Sequence, residues 1–151
     1  MPDRVTCKLE GLSDLKDALD DLPKATQPNV IKRALNAAAD PIQQSAETLA
    51  PIMTGKLQRS IIIGTKLSRT QAAQRTKESK IELYVGAGSL AQATLQEFGT
   101  VHNRPQPFMR PAWAANSRKA LDIIKSQLAE EIDKAAQRLA RKAARLLAKG
   151  G

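Results

Sequence analysis

The chain has 151 residues, enough for one domain, and carries 24 Lys/Arg against 15 Asp/Glu, a formal net charge of +9. Its apolar content is alanine and leucine with very few aromatics (Trp113, Tyr84, Phe98 and Phe108), so the core is thin and stability is expected to draw on neighbouring subunits. A single cysteine, Cys7, gives no disulfide framework, reads as a small buried apolar residue, and fits cytosolic synthesis. No apolar run approaches the length needed to cross a bilayer, and the start Met-Pro-Asp-Arg has no apolar signal region, so no membrane role is expected.

Val5, Cys7 and Leu9 alternate, which predicts a short strand ending at Gly11. Ser13 is the expected N-cap of a helix running to Leu22, with Leu12, Leu15, Leu19 and Leu22 on one stripe. Asp14 and Asp17 sit near its positive end, and Pro23 closes it. Pro28 marks the start of the next helix. Ile31, Leu35, Ala38, Ile42, Ser45, Ala46 and Leu49 keep one face for five turns, and Pro41 inside the pattern predicts a kink. The period changes at Ala50–Ile61. There Pro51 stops a helix, and Thr54-Gly55 supplies a capping hydroxyl and a residue tolerant of positive φ, so Pro51, Thr54 and Gly55 read as a structural turn.

Leu57 to Leu67 reads as a strand with Ile61 and Ile63 on one face and Ser60 and Ile62 on the other. The polar stretch Ser68–Ser79 reads as a mobile hairpin loop. Ile81, Leu83 and Val85 alternate with Glu82 and Tyr84 as a half-buried strand closed by Gly86 and Gly88. Ser89–Phe98 fits a short helix or turn ending at Gly99, and Asn103-Arg-Pro-Gln-Pro must be extended loop. Pro111 suits the first turn of a last helix. Its stripe is Trp113, Ala120, Leu121, Ile124, Leu128, Ile132, Ala135, Leu139, Ala143 and Leu146. Running to about Ala148, that helix is roughly 54 Å long, more than a small domain is wide. Its far end must protrude, pack on another subunit or fray. The expected class is α+β: a small antiparallel sheet against helices, with a long C-terminal amphipathic helix. Residues 1–130 form the expected domain and residues 131–151 a basic helical extension.

Charge is distributed unevenly: −2 over residues 1–50, +6 over 51–110 and +5 over 111–151. No acid follows Asp133, so Lys134, Arg138, Arg141, Lys142, Arg145 and Lys149 form an uncompensated run. Such a run either meets an anionic partner, DNA or an acidic protein surface, or is a solvated face complementing the helix C-terminus. Aromatics do not interleave with these cations as they do in base-stacking modules, and no zinc spacing or helix-turn-helix is visible, so any DNA contact is to phosphates alone. Catalysis has little to stand on. His102 is the only histidine; Ser60, His102 and Asp40 make a triad only on paper; Gly86-Ala87-Gly88 lacks the rest of a phosphate loop. No enzyme, metal or cofactor is expected.

Three motifs in order carry a resemblance: Ala50-Pro51-x-x-Thr54-Gly55-x-Leu57-x-x-Ser60-Ile61, Glu97-Phe98-Gly99-Thr100, and Pro105-x-Pro107-Phe108-x-Arg110-Pro111-Ala112. Over about residues 10–130 the chain resembles the tail-completion, or head–tail joining, proteins of long-tailed double-stranded DNA phages. The resemblance implies a non-enzymatic virion protein of the neck, made in the host cytoplasm. It implies a ring-like homo-oligomer, hexameric, around the DNA channel, with the connector or stopper, tail terminator and tail tube as partners. A tail terminator or connector-stopper subunit is the near alternative; a DNA-binding accessory protein using the basic C-terminal helix is the alternative of another class. Glu97, Phe98, Gly99, Thr100, Pro107, Phe108 and Arg110 are the candidate interface residues, with an Arg110–Glu97 pair expected. The rings of Phe98 and Phe108, with Trp113, fit either a core or an interface. Lys134, Arg138, Arg141, Lys142 and Arg145 are candidate contacts to packaged DNA or an acidic partner.

Overall fold

A computed structural model describes residues 12–52, 54–88 and 90–150. The strand expected at Val5–Leu9, and Cys7 with it, lies outside them. The elements in order are α1 (Leu12–Asp20), α2 (Gln27–Leu49), α3 (Lys56–Ser60), β1 (Ile62–Gly64), α4 (Arg69–Gln74), β2 (Tyr84–Gly86), α5 (Ala91–Phe98) and α6 (Met109–Lys149). The class is α+β as expected: mostly helical, with a two-stranded antiparallel sheet that pairs Ile62 with Gly86, Ile63 with Val85 and Gly64 with Tyr84.

The frame is an antiparallel pair, α2 against α6. Near one end Val30 meets Ile132 and Ala135; in the middle Ala38 and Ile42 meet Ala120; at the other end Ala46 and Ala50 meet Phe108 and Ala112. Alanine dominates this seam because a methyl group lets the two backbones approach closely. The buried face of α2 is Val30, Ala34, Ala38, Ala39, Ile42 and Ala46. It is turned slightly from the expected face: Ile31 and Leu35 are only half-buried and Leu49 is exposed. The small residues, not the large ones, mark the line of closest approach. Pro28 does stand in the first turn of α2, and Pro41 lies within the helix without dividing it.

α1 begins at Leu12, so Ser13 lies inside it and does not cap it. Its half-buried Leu15, Ala18 and Leu19 pack with Leu22 against the Ile132–Ala135 stretch of α6. α6 therefore runs through 130 and 131 without interruption, and its packing reaches Leu139. At 41 residues it is about 61 Å long. Every residue from Ala140 to Gly150 is exposed, so the far end protrudes.

Two sequence expectations fail here. The strand expected over Leu57–Leu67 is confined to Ile62–Gly64, and residues 57–60 belong to the short helix α3. Gly55 turns the chain at φ +71°, and Lys56, Leu57, Gln58 and Arg59 are good helix formers. Gln58 Nε2 donates to the Glu47 carbonyl at 2.9 Å, and Gln43 Nε2 donates to the Ile61 carbonyl at 2.9 Å, fixing α3 to α2. Strand geometry begins only at the β-branched Ile62, while Ile61 is buried in the core. The stretch 68–79 is likewise not wholly loop. Ser68 and Gln71 form a capping box, and α4 follows. Beyond α4 the Glu82 carboxylate gathers the segment: it accepts from the backbone N–H of Glu78 and Ser79, from Arg75 and from the Tyr84 hydroxyl, and the Arg75 guanidinium stacks on the Tyr84 ring. β2 is accordingly confined to Tyr84–Gly86, shorter than the alternation from Ile81 predicts.

Candidate interface site

α5 presents two faces with different fates. Ala93 and Glu97 turn inward and are buried; Leu95 and Phe98 turn outward. Gly99 stops the helix, and its backbone N–H donates to the Leu95 carbonyl at 2.8 Å. Its φ of +76° and ψ of 179° belong to a region open essentially to glycine alone. A β-carbon there would stand 2.8 Å from the Pro105 nitrogen and 2.9 Å from the Asn103 carbonyl oxygen. The chain therefore folds tightly over Gly99.

Thr100 secures the loop tip. Its hydroxyl accepts from the backbone N–H of Asn103 at 3.0 Å and of His102 at 3.3 Å, and its own N–H donates to the Asn103 carbonyl at 2.9 Å. The returning segment is tied to α5 where Gln106 N–H donates to the Gln96 carbonyl at 2.7 Å.

The fold of this loop brings Glu97 to the beginning of α6. One carboxylate oxygen accepts from the backbone N–H groups of Phe108 (2.8 Å) and Met109 (3.0 Å), and the other from the backbone N–H (3.0 Å) and the side-chain Nε (3.0 Å) of Arg110. Arg110 Nη2 also donates to the Glu97 carbonyl at 2.8 Å. Phe108 at the N-cap position has no capping side chain of its own, so Glu97 serves as the cap, supplied from another helix. A negative charge is favoured at that end by the aligned peptide dipoles of α6. Burial alone pushes the Glu97 carboxyl up, but the three backbone N–H bonds and the Arg110 side chain outweigh it and hold the group below the ordinary carboxylate range.

The two rings separate. Phe108 is core, 1% exposed, packed with Leu57, Ile61 and Ala93. Phe98 is 64% exposed, with the Arg110 guanidinium carbon 4.9 Å from its centroid. Trp113 is 61% exposed, one position along from the buried Ala112, so a core of all three rings does not form. Pro107 lies exposed on the returning loop segment. Of the seven candidates, Glu97, Gly99, Thr100 and Phe108 are used internally, whereas Phe98, Pro107 and the outer surface of Arg110 face outward.

The sequence reading missed Val101, which stands at the loop tip and is 98% exposed, and Leu95, which flanks Phe98 one turn earlier on α5. The spacing of Leu95 and Phe98 was the available signal. A separate apolar hollow of about 530 Å³ lies between the sheet and the start of α6, lined among others by Ile62, Leu67, Val85, Met109 and Trp113.

At the other turn, Arg59 Nη2 donates to the Thr54 carbonyl at 3.3 Å, and its guanidinium lies where a β-carbon on Gly55 would be, 2.9 Å away. Pro51 is half-buried beside the buried Ala50. On α6, Lys134 pairs with Glu130 at 2.6 Å; this hydrogen bond raises the lysine above its ordinary value. Arg138 Nε donates to the Lys134 carbonyl at 3.3 Å, and Arg141, Lys142 and Arg145 are exposed with no acidic partner among the described residues. The paper triad does not assemble: the Ser60 hydroxyl donates to the Leu57 carbonyl at 2.6 Å. No group of three or more potential metal ligands occurs among the described residues, and no helix among them is long and apolar enough to cross a membrane.

The corner is thus a hydrogen-bonded turn that exposes apolar side chains and one cation. Residues 13–99 match the family model described as "Bacteriophage HK97-gp10, putative tail-component". The chain belongs to this HK97-gp10-like family of phage tail components. The match spans the first motif and reaches Gly99 of the second; the Pro105–Ala112 motif and all of α6 lie beyond it. Comparison with curated proteins and with solved structures finds no match.

Proposed function

We propose that this protein is a structural, non-enzymatic component of the phage neck, which completes the tail and joins it to the head connector as one subunit of a ring around the DNA channel. It acts in the virion, against the connector or stopper on one side and the terminator or tail tube on the other. Membership of a phage tail-component family supports the setting. The observation that carries the joining role is the exposure of Phe98 on a corner held by hydrogen bonds at Gly99, Thr100, Asn103, Gln106 and Arg110. An immobile aromatic loses little conformational entropy when buried against a partner, which is how interface anchors gain their energy. Leu95 and Val101 enlarge the same apolar surface.

The test is a Phe98→Asp virus, examined by electron microscopy and mass spectrometry of purified particles. The isolated variant remains folded, because the ring packs on no core, while full heads and tails accumulate unjoined. A wild-type protein missing from purified particles, or a Phe98→Asp virus that joins heads to tails normally, removes the reading.

A further inference from the structure

We propose that the distal part of α6 is a docking surface for the phosphate backbone of double-stranded DNA, bound without regard to base sequence. The argument begins with the positions of the cations. At 3.6 residues per turn, Arg138, Arg141, Lys142, Arg145 and Lys149 fall within a sector of about 100° on one side of the helix. Leu139, Ala140, Ala143, Ala144, Leu146, Leu147 and Ala148 fill the remainder. The stripe carries its five cations within about three turns, or roughly 4 Å per step. Its five cations extend over about 16 Å, a length along which one strand of duplex DNA presents four or five phosphates.

None of the five is neutralised. No acid follows Asp133 in the chain, and two of the acids just before the stripe are engaged: Glu130 with Lys134, and Glu131 with Arg33 at 2.6 Å. Arg138, Arg141 and Lys142 also border shallow depressions at the body, shared with Arg33 of α2, whose own charge is already met by Glu131. A protein or membrane partner would instead read the apolar sector. Beyond Leu139 that sector is alanine except for Leu146 and Leu147, and alanine methyls bury too little area to anchor a groove or a bilayer at about 25 cal/mol per Å². Five like charges on each copy also oppose pairing of two such arms. What the sector of cations fits is a polyanion with regularly spaced charges.

The inference rests on the helix and not on the neck reading, which only names packaged DNA as the source. The experiment measures binding of the full-length protein to a fluorescent duplex of random sequence by anisotropy. Between 50 and 200 mM salt the affinity falls by roughly 10² to 10³, the loss for four or five neutralised phosphates. Arg141→Glu with Arg145→Glu weakens binding at 50 mM salt at least tenfold and flattens the salt dependence; Leu146→Ser with Leu147→Ser changes it less than about twofold. Undiminished binding by the charge-reversed variant, loss of binding in the leucine variant, or binding to phosphatidylserine vesicles in place of DNA overturns the proposal. Charge-reversed virus that incorporates the protein normally while DNA binding is lost leaves the neck reading untouched. Protein absent from virions with DNA binding intact sinks that reading alone.

Discussion

The two ends of α6 handle charge in opposite ways. At its start, one carboxylate takes four N–H donors, and the guanidinium beside it gives hydrogen bonds to both a carboxylate and a carbonyl. At its end, five exposed cations have no ion-pair partner among the described residues. The first arrangement builds structure: Glu97 is 5% exposed, and its hydrogen bonds close a loop, start a helix and set the posture of Phe98. The second contributes nothing to the body of the fold. Charge that is internally satisfied marks a support, and charge left unsatisfied on a rigid element marks a surface for something else.

The contrast breaks most sharply at Glu97. Glu97→Ala strips three backbone N–H groups of their acceptor and leaves a helix start buried without a cap. A loss of about 3 kcal/mol in unfolding free energy is expected by urea titration. The same group gives a pH dependence. Its folded-state value lies below the ordinary one, so the unfolded chain binds the proton more readily. The stabilisation is fully present above the ordinary carboxylate range and is lost as pH falls through the depressed folded value. Glu97→Gln should flatten the acid limb of the stability profile; an unchanged acid limb in that variant would mean the charge is not what holds the corner.

Gly99 tests the geometry and not the charge. Gly99→Ala meets both a forbidden backbone region and two backbone atoms within 2.9 Å, so a loss of about 2 kcal/mol is expected in the same titration. Relief by movement of the Asn103–Pro105 segment would show instead as a near-neutral variant whose Phe98 fluorescence-quenching environment or proton chemical shifts have changed.

How much of this was readable beforehand depends on the range of the interaction. The turn at Gly99 was legible, because a glycine after an aromatic at the end of a helical pattern is a local signal. An Arg110–Glu97 pair was legible from the motifs. The cap was not: Glu97 reaches backbone groups 11 to 13 residues away, and backbone donors leave no mark in a sequence. The fate of the rings was equally hidden. Phe98 and Phe108 are alike in composition, and only the rotation of α5, with Ala93 and Glu97 inward, decides which is buried. In contrast, α4 was missed although its Ser68-x-x-Gln71 box was local, since the polar composition around it drew the reading toward loop. The strand expected over Leu57–Leu67 shrinks to Ile62–Gly64 because Lys56 to Arg59 favour helix and only the isoleucine run favours strand. The basic stripe of α6 was fully legible, being a property of one uninterrupted helix.

The smallest effect on stability is expected where the charge is greatest. Removing residues 141–151 deletes four cations and both exposed leucines, yet the packed seam ends at the half-buried Leu139. Unfolding free energy should change by less than about 0.5 kcal/mol, the range for surface changes that touch no packed or buried group. Calorimetry of the shortened chain checks this directly. Removing four like charges also relieves self-repulsion, so a slight rise in melting temperature at low salt is consistent with the same view. A large fall would mean the arm supports the body, and the division between the two ends of α6 would fail. An unchanged or slightly raised value, together with lost DNA affinity, leaves the arm with no structural reason for those four cations.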